Sequence, residues 1–115
     1  MKITMLSTNE DNKSYFTEID CGHASEQPLG LYSKKFPVKA IMFRDFENGL
    51  VMEIHNAPQP QYIIYLEGEV EVEASGGEKR IFKAGDVLLA ADVTGEGHVS
   101  RTLSKGKSII VTTVD

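Results

Sequence analysis

From Val38 onward, apolar residues occur in short runs separated by Gly, Pro and Asn, and no window keeps the apolar spacing of a helix. The stretch Glu69-Val70-Glu71-Val72-Glu73 alternates strictly, which predicts a strand with Val70 and Val72 on the core face and the glutamates in water. The run Val87-Leu88-Leu89-Ala90 is apolar throughout, as expected of a strand that is buried on both faces. This pattern predicts an all-β fold.

Turn signals place the other elements. Ser75-Gly76-Gly77-Glu78 predicts a type I′ hairpin turn, because Gly tolerates the positive φ that both central positions require. The segments before Pro28 and Pro37 look irregular, since the residue preceding a proline avoids the helical region. Roughly nine or ten strands predict a closed barrel or a sandwich, in which few sheet edges stay exposed. The further β-rich runs lie at residues 14–19, 38–43, 50–55, 61–66, 81–82, 98–103 and 108–114.

The length of 115 residues fits one domain, and we see no linker or internal repeat. We therefore expect a single domain over residues 1–115, with N-terminal strands at about 1–37 and a barrel core at about 38–115. The composition, 41% hydrophobic and 25% charged, is that of an ordinary globular protein rather than a disordered or fibrous one.

The net charge and the cysteine content limit which binding partners and which cellular compartment we expect. The net charge of -5 would repel nucleic-acid phosphates and anionic membranes, so we expect neither as a partner. Cys21 is the only cysteine, which excludes an internal disulfide and a CxxC zinc site. The N-terminal residues contain no apolar segment long enough for export, and no run approaches the length of a membrane span. We expect a cytoplasmic protein.

The residues that could bind a ligand or take part in catalysis lie in two sequence motifs. Gly49 precedes His55 by five intervening residues, and Gln61 precedes Gly68 by six. This segment resembles the first conserved motif of the cupin superfamily, in which Gly is followed by His-X-His, a Glu and a second Gly. The resemblance implies a double-stranded β-helix, that is, a jelly-roll barrel with an interior pocket.

The second cupin motif is matched more loosely by Gly85 and His98, with Ala91 at the position of its Pro. The resemblance covers about residues 49–101, roughly half the chain. The chain also resembles a subgroup of small cupins with His-X-Ala-Pro-X-X-Gln in the first motif and Thr-Gly-X-Gly-His in the second. The matching segments here are residues 55–61 and 94–98.

In metal-binding cupins, two His and a Glu of the first motif and the His of the second hold iron, manganese, nickel or zinc. Here His55 and His98 match two of these four ligands, whereas Ala57 replaces the second His and Gln61 replaces the Glu. Two neutral imidazoles and an amide fall short of the ligand sets that divalent metals usually require. We therefore expect a degenerate metal site, whose ligands, where a metal binds, are His55, Gln61 and His98.

Strand parity predicts which side chains line the pocket, because alternate residues of a strand share a face. His55 and His98 are the catalytic candidates, although a lone His on a strand is more often a structural residue. Arg101 has the opposite parity to His98 and should face outward, near an acidic residue; His23 lies outside both motifs and should be a surface residue. The expected pocket residues are Glu53, His55, Gln61, Ile63, Tyr65, His98 and Ser100.

Three functions follow from these features. The first is a small-molecule-binding cupin, either a sensor or an enzyme that uses His55 and His98 for acid–base chemistry. The second is a metal-dependent cupin enzyme of the dioxygenase or isomerase type. The third is a structural or regulatory module that forms a homodimer, for which the resemblance implies pairing through the N-terminal strands. The sequence names no ligand.

Overall fold

The structure of the protein, a computed structural model, describes residues 1–114. All regular secondary structure in this range is β-strand, which confirms the predicted all-β fold. No helix in the described range is long and apolar enough to cross a bilayer. The strands are β1 Lys2–Thr8, β2 Ser14–Asp20, β3 Ser25–Gln27, β4 Gly30–Tyr32, β5 Val38–Phe46, β6 Val51–His55, β7 Gln61–Glu67, β8 Val70–Ala74, β9 Lys79–Phe82, β10 Val87–Ala90, β11 His98–Thr102 and β12 Gly106–Thr113.

The strands form two main sheets. One has six strands in the order β2-β1-β10-β7-β12-β5, and the other has four in the order β6-β11-β8-β9. Only β1 and β10 pair in parallel, whereas the other described pairs are antiparallel. Over residues 1–114 no strand pairing joins the two sheets, so the strands form no closed barrel. The sheets face each other as in a β-sandwich.

The core lies between the inner faces of these sheets. Val70 and Val72 are buried, as the alternation of β8 predicts, and Leu88 of β10 is fully buried opposite them. Aromatic contacts link the sheets, because the Phe82 ring stacks on Tyr65 at 5.3 Å and lies 6.1 Å from the Phe16 ring. The remaining buried members of this cluster are Leu6, Phe46 and Ala74.

The hairpin between β8 and β9 differs from the predicted type I′ turn. Only Gly77 has a positive φ, of 108°, and its N–H donates to the carbonyl of Ala74, which closes a three-residue loop. Gly76 serves a different purpose. A Cβ there would lie 2.8 Å from the carbonyl oxygen of Ser14, which accepts the Gly76 N–H, so the glycine permits close approach rather than an unusual φ.

Residues 22–37 form an arm in which every residue is exposed. Part of the arm was expected to be irregular, but β3 and β4 pair as a short antiparallel hairpin, with Glu26 opposite Leu31. This hairpin pairs with neither main sheet in the described residues. The arm is therefore an appendage to the two-sheet body.

The predicted outward position of Arg101 beside acidic residues is confirmed. Its Nη1 donates to Glu71 Oε1 at 3.0 Å and to Glu73 Oε1 at 2.8 Å on the outer face of the four-stranded sheet. The hydrogen bond from Arg101 lowers the pKa of Glu73 below its ordinary value. The ionised form of Glu73 is therefore more stable in the folded chain than in the unfolded one.

This pair gives stability a dependence on pH. Because the folded pKa of Glu73 is lowered, its contribution is present above the ordinary glutamate value of 4.5 and is lost as the pH falls through the folded value. The free energy of unfolding of Glu73→Gln, measured in urea, should be lower than that of the wild type by a constant amount near neutral pH. This difference should shrink below pH 4.5. Glu69→Gln, which removes no described ion pair, should show none of this dependence. If the difference in free energy of unfolding between Glu73→Gln and the wild type stayed constant or grew in acid, the lowered pKa of Glu73 would be contradicted.

Candidate functional site

His55 and His98 come from neighbouring strands and meet at one end of the four-stranded sheet. His55 ends β6, His98 begins β11, and the two residues are directly opposite in the antiparallel register. Residues in that position share a sheet face, and the two imidazole centroids lie 4.3 Å apart with an angle of 56° between the ring planes. The structure thus brings together the two histidines that the motifs single out.

Irregular backbone allows this approach. His98 pairs with His55 but Ser100 pairs with Met52, so β6 holds one extra residue and forms a bulge between them. Gly97, with φ of 81°, precedes His98, and a Cβ at this position would collide with the carbonyl oxygen of His55. A glycine is therefore required where the loop before β11 crosses the end of β6.

A buried serine fixes the same loop from below. The Ser14 hydroxyl donates to the carbonyl oxygen of Gly97 at 2.7 Å and accepts the N–H of Ser75 at 2.7 Å. Ser14 is fully buried, so these hydrogen bonds are shielded from water. The loop that delivers His98 is consequently held to both β2 and the hairpin after β8.

Asp92 is a site residue that the sequence interpretation missed. Its Oδ2 lies 2.5 Å from Nδ1 of His98; the aspartate is fully buried, and His98 is only 5% exposed. The Asp92 carbonyl oxygen also accepts the N–H of Ala57, which joins the two motif loops. The sequence signal was weak, because an Asp in the polar run of residues 92–97 looks like a solvated turn residue.

The two rings have the same hydrogen-bonding arrangement. Nδ1 of His55 lies 2.7 Å from the carbonyl oxygen of Glu53, an atom that can only accept, so this nitrogen carries the proton. Nδ1 of His98 likewise donates to the carboxylate of Asp92. In the neutral form of each ring, Nε2 is therefore the atom that can accept a proton or bind a ligand.

One oxygen of Asp92 has no partner. Asp92 Oδ1 is buried and makes no hydrogen bond among the described residues, so the carboxylate depends on His98 for its side-chain hydrogen bonding. A buried carboxylate without any partner is strongly unfavourable. The Asp92–His98 pair is therefore a unit whose members cannot be removed separately without a large cost.

The other expected pocket residues differ in their burial and in what they contact. Tyr65 is buried in the core against Phe82, and burial raises the pKa of its hydroxyl above the ordinary value. Ile63 packs beside this core, and Gln61, on the same inner face by parity, is half-buried at the start of β7. Ser100 is half-buried opposite Val72 in the register. Glu53 has an exposed side chain and reaches His55 through its carbonyl oxygen, not its carboxylate.

The donor atoms do not fit a firmly held metal. Within residues 1–114 no group of three or more His, Cys, Asp and Glu side chains could hold an ion. The His pair offers two Nε2 atoms, and Asp92 is already engaged by Nδ1 of His98. Ala57, which the resemblance places where metal-binding cupins have their second His, is buried and supplies no donor. Two imidazoles and the neutral amide of Gln61 remain from the expected set, which falls short of the three or four strong ligands that metal sites typically use.

Surface depressions do not coincide with the histidines. A groove of about 660 Å³ lies beside the arm, and a smaller depression of about 300 Å³ includes Pro58 and Gln59. Neither is lined by His55 or His98. A ligand of the His pair would therefore enter by a route other than these two depressions.

Comparison with known proteins gives few relatives. No family model matches the chain. Over 65 residues, 56% of this chain, it is 34% identical to Oryzines biosynthesis cluster protein J of Aspergillus oryzae (strain ATCC 42149 / RIB 40), and the chain spans only 35% of that protein. The structure is similar to that of the conserved SPY1581 protein of unknown function from Streptococcus pyogenes. That similarity has a TM-score of 0.51 at 12% identity, covers 66% of this chain and 76% of the other, and shows the fold alone.

The dependence of Asp92 on His98 predicts strong energetic coupling. Removing one member of a buried pair costs about 3–5 kcal/mol, so His98→Ala and Asp92→Ala should each lower the free energy of unfolding by roughly this amount. The double variant should lose much less than the sum, since neither group is then left unpaired. His55→Ala, the matched control, should cost about 1 kcal/mol, the value of one hydrogen bond. Urea denaturation measures all four; additive single effects would contradict the pairing.

Proposed function

We propose that this chain is a small cupin-like domain that binds a small molecule at the His55–His98 pair and exchanges protons with it, without a resident metal ion. The observation that carries the proposal is the 4.3 Å approach of two imidazoles whose Nδ1 atoms are both engaged by oxygen acceptors. Two neighbouring Nε2 atoms are then left for a ligand. Membership of the cupin superfamily and a jelly-roll topology are parts of this proposal.

Each residue has a distinct role in this proposal. Imidazole is the side chain that gains and loses a proton most readily near neutral pH, so a pair with one protonated ring offers an acid and a base to the same ligand. Asp92 acts as a positioning residue, because its hydrogen bond to Nδ1 fixes the ring and the tautomer of His98 without touching the ligand. His55 is oriented in the same way by the Glu53 carbonyl.

Several features support this proposal. The two facing sheets and the motif spacing around Gly49, His55 and His98 are compatible with a cupin. Ala57 and Gln61 replace two metal ligands of the family, which favours binding without a metal. The similar fungal protein is named for a biosynthesis cluster, and small-molecule chemistry on this chain would agree with that name.

The alternative is a metal-dependent cupin enzyme. One observation favours it, because histidines that bind metals usually donate their other ring N–H to a carboxylate or a carbonyl, as His98 and His55 do here. The shortage of further ligands weighs against it. Metal analysis of protein purified without chelators distinguishes the two, since the proposal expects far less than one equivalent per chain.

A ligand screen tests the proposed site. Small organic acids, sugars and amines would be screened by the NMR shifts of the His55 and His98 rings. A compound that binds the wild type should bind His55→Ala about tenfold to a hundredfold more weakly, the effect of losing one strong hydrogen bond. Asp92→Asn should weaken it as well, through the orientation of His98. His23→Ala, which removes an exposed arm histidine, should leave the affinity unchanged.

Two results would contradict the proposal. One is a stoichiometric transition metal that copurifies with the wild type and is lost from His55→Ala, which would favour the metal-dependent enzyme. The other is a ligand whose affinity is the same in the wild type, His55→Ala and Asp92→Asn, since it would bind elsewhere.

A further inference from the structure

The inner face of the six-stranded sheet carries a cationic side chain. Arg44 of β5 lies opposite Ser108 of β12, and Ser108 lies opposite Tyr65 of β7, so the three side chains share one face. Tyr65 stacks on Phe82 of the four-stranded sheet, which identifies this face as the one between the two sheets. Arg44 therefore points between the sheets, although β5 is an edge strand.

The guanidinium of Arg44 is held in place but is not neutralised. Its Nε donates to Ser108 Oγ at 2.8 Å, and its Cζ lies 5.1 Å from the centre of the Phe46 ring. Its Nη2 is buried and has no hydrogen-bond partner among the described residues. None of the ion pairs described in residues 1–114 includes Arg44. A buried donor without a partner is unfavourable, so an anion that accepts from this guanidinium would be stabilised.

The sandwich is open beside Arg44, between the edge strands β5 and β6. These strands are joined by residues 47–50, and in the described residues they do not pair. Met42 shares the inner face with Ile63 because both pair with one residue of β12, and Met52 shares it with Val72 through one residue of β11. Met42 is nevertheless 53% exposed and Met52 is 58% exposed. The two inner faces thus form an open cleft on this side.

The His pair lies at one end of this cleft. His98 is opposite Ala74, a buried core residue, so the pair is on the inner face. Asp92, which holds His98, follows shortly after Ala90 at the end of β10. Ala90 in turn is opposite Gln61. The His pair is therefore at the end of the sandwich where β7 begins.

Arg44 lies toward the other end of the cleft, in the row of Tyr65. Gln61 and Tyr65 are about 13 Å apart along β7, since a strand rises about 3.3 Å per residue. The side chains between the two ends are mainly apolar. They are Met42, Met52, Ile63, Ser100 and Ile110. A ligand that contacts both ends must therefore be elongated, with an anionic group, an apolar middle and a polar group for the histidines.

We propose that this cleft binds an elongated organic acid, with its carboxylate on Arg44 and a polar group, such as a hydroxyl, at Nε2 of His55 and His98. The planar guanidinium matches the geometry of a carboxylate. A single cation balances one negative charge, which favours a carboxylate over the more highly charged phosphate monoester. The inference rests on the proposed function and adds to it the class of ligand and Arg44 as the residue that selects it.

Titration calorimetry with linear ω-hydroxy acids, from hydroxybutanoate to hydroxydodecanoate, tests the proposal. Hydroxyoctanoate should bind more tightly than hydroxybutanoate, which is too short to reach both ends of the cleft. Hydroxyoctanamide, its neutral analogue, should bind about tenfold to a hundredfold more weakly, the effect of losing hydrogen bonds between charged groups. A wild type that binds none of these acids at up to about 10 mM, or that binds acid and amide equally, would overturn the proposal.

Arg44→Gln removes the charge and keeps a side chain that can donate to Ser108. It should bind hydroxyoctanoate about tenfold to a hundredfold more weakly and the amide as the wild type does. Lys107→Gln, the matched control, removes an exposed cation from the other face of β12 and should bind both probes as the wild type does. Circular dichroism and thermal unfolding show whether each variant is folded. Equal affinity of the acid for the wild type and folded Arg44→Gln would overturn the proposal.

Met42→Trp tests the cleft without removing a charge. Met42 is half-exposed, so the larger side chain should be tolerated and should fill the space between the sheets. The affinity for hydroxyoctanoate should fall at least about tenfold. Ile41→Trp, on the outer face of β5 and equally exposed, should leave this affinity unchanged. An unchanged affinity in folded Met42→Trp would contradict binding in the cleft.

His55→Ala separates this inference from the proposed function. Binding of hydroxyoctanoate that depends on Arg44 and not on His55 would support the carboxylate site and contradict proton exchange at the His pair. Binding that depends on His55 and not on Arg44, with equal affinity for acid and amide, would support the His pair and overturn the carboxylate site.

Discussion

The hydrogen bond between His98 and the buried carboxylate of Asp92 is the interaction on which the candidate site depends. Asp92 has no other side-chain hydrogen bond among the described residues, so it holds one ring nitrogen of His98 and leaves the other free. The loop that contains both residues is also tied to Ser14, and Gly97 lets it cross the end of β6. These buried contacts hold the ring of His98 beside that of His55.

The two faces of the six-stranded sheet have different surroundings. Its inner face packs on the four-stranded sheet and forms the core, which supports the ends of the strands where the histidines lie. Its outer face also carries apolar side chains, such as Tyr62 and Leu89, which line the groove beside the arm. The His pair does not line the groove on that face.

The sequence predicted well what depends on local pattern. The alternation in β8 placed Val70 and Val72 in the core, and strand parity placed Arg101 on the outside beside acidic residues. What it missed depends on tertiary contacts. Asp92 acquires its role only when its loop folds over His98, and the bulge in β6 breaks the parity that was expected to turn Glu53 inward. The hairpin of the arm has too few residues for a periodic signal.

Long-range ¹H–¹⁵N NMR of the histidine rings shows which nitrogen of each ring carries the proton, and it therefore tests whether Asp92 fixes the ring of His98. Both neutral His55 and neutral His98 should be protonated at Nδ1, and Asp92→Asn should alter the signals of His98 far more than those of His55. Rings that average freely between the two tautomers, with a His98 signal unchanged by Asp92→Asn, would show that the carboxylate does not hold this ring.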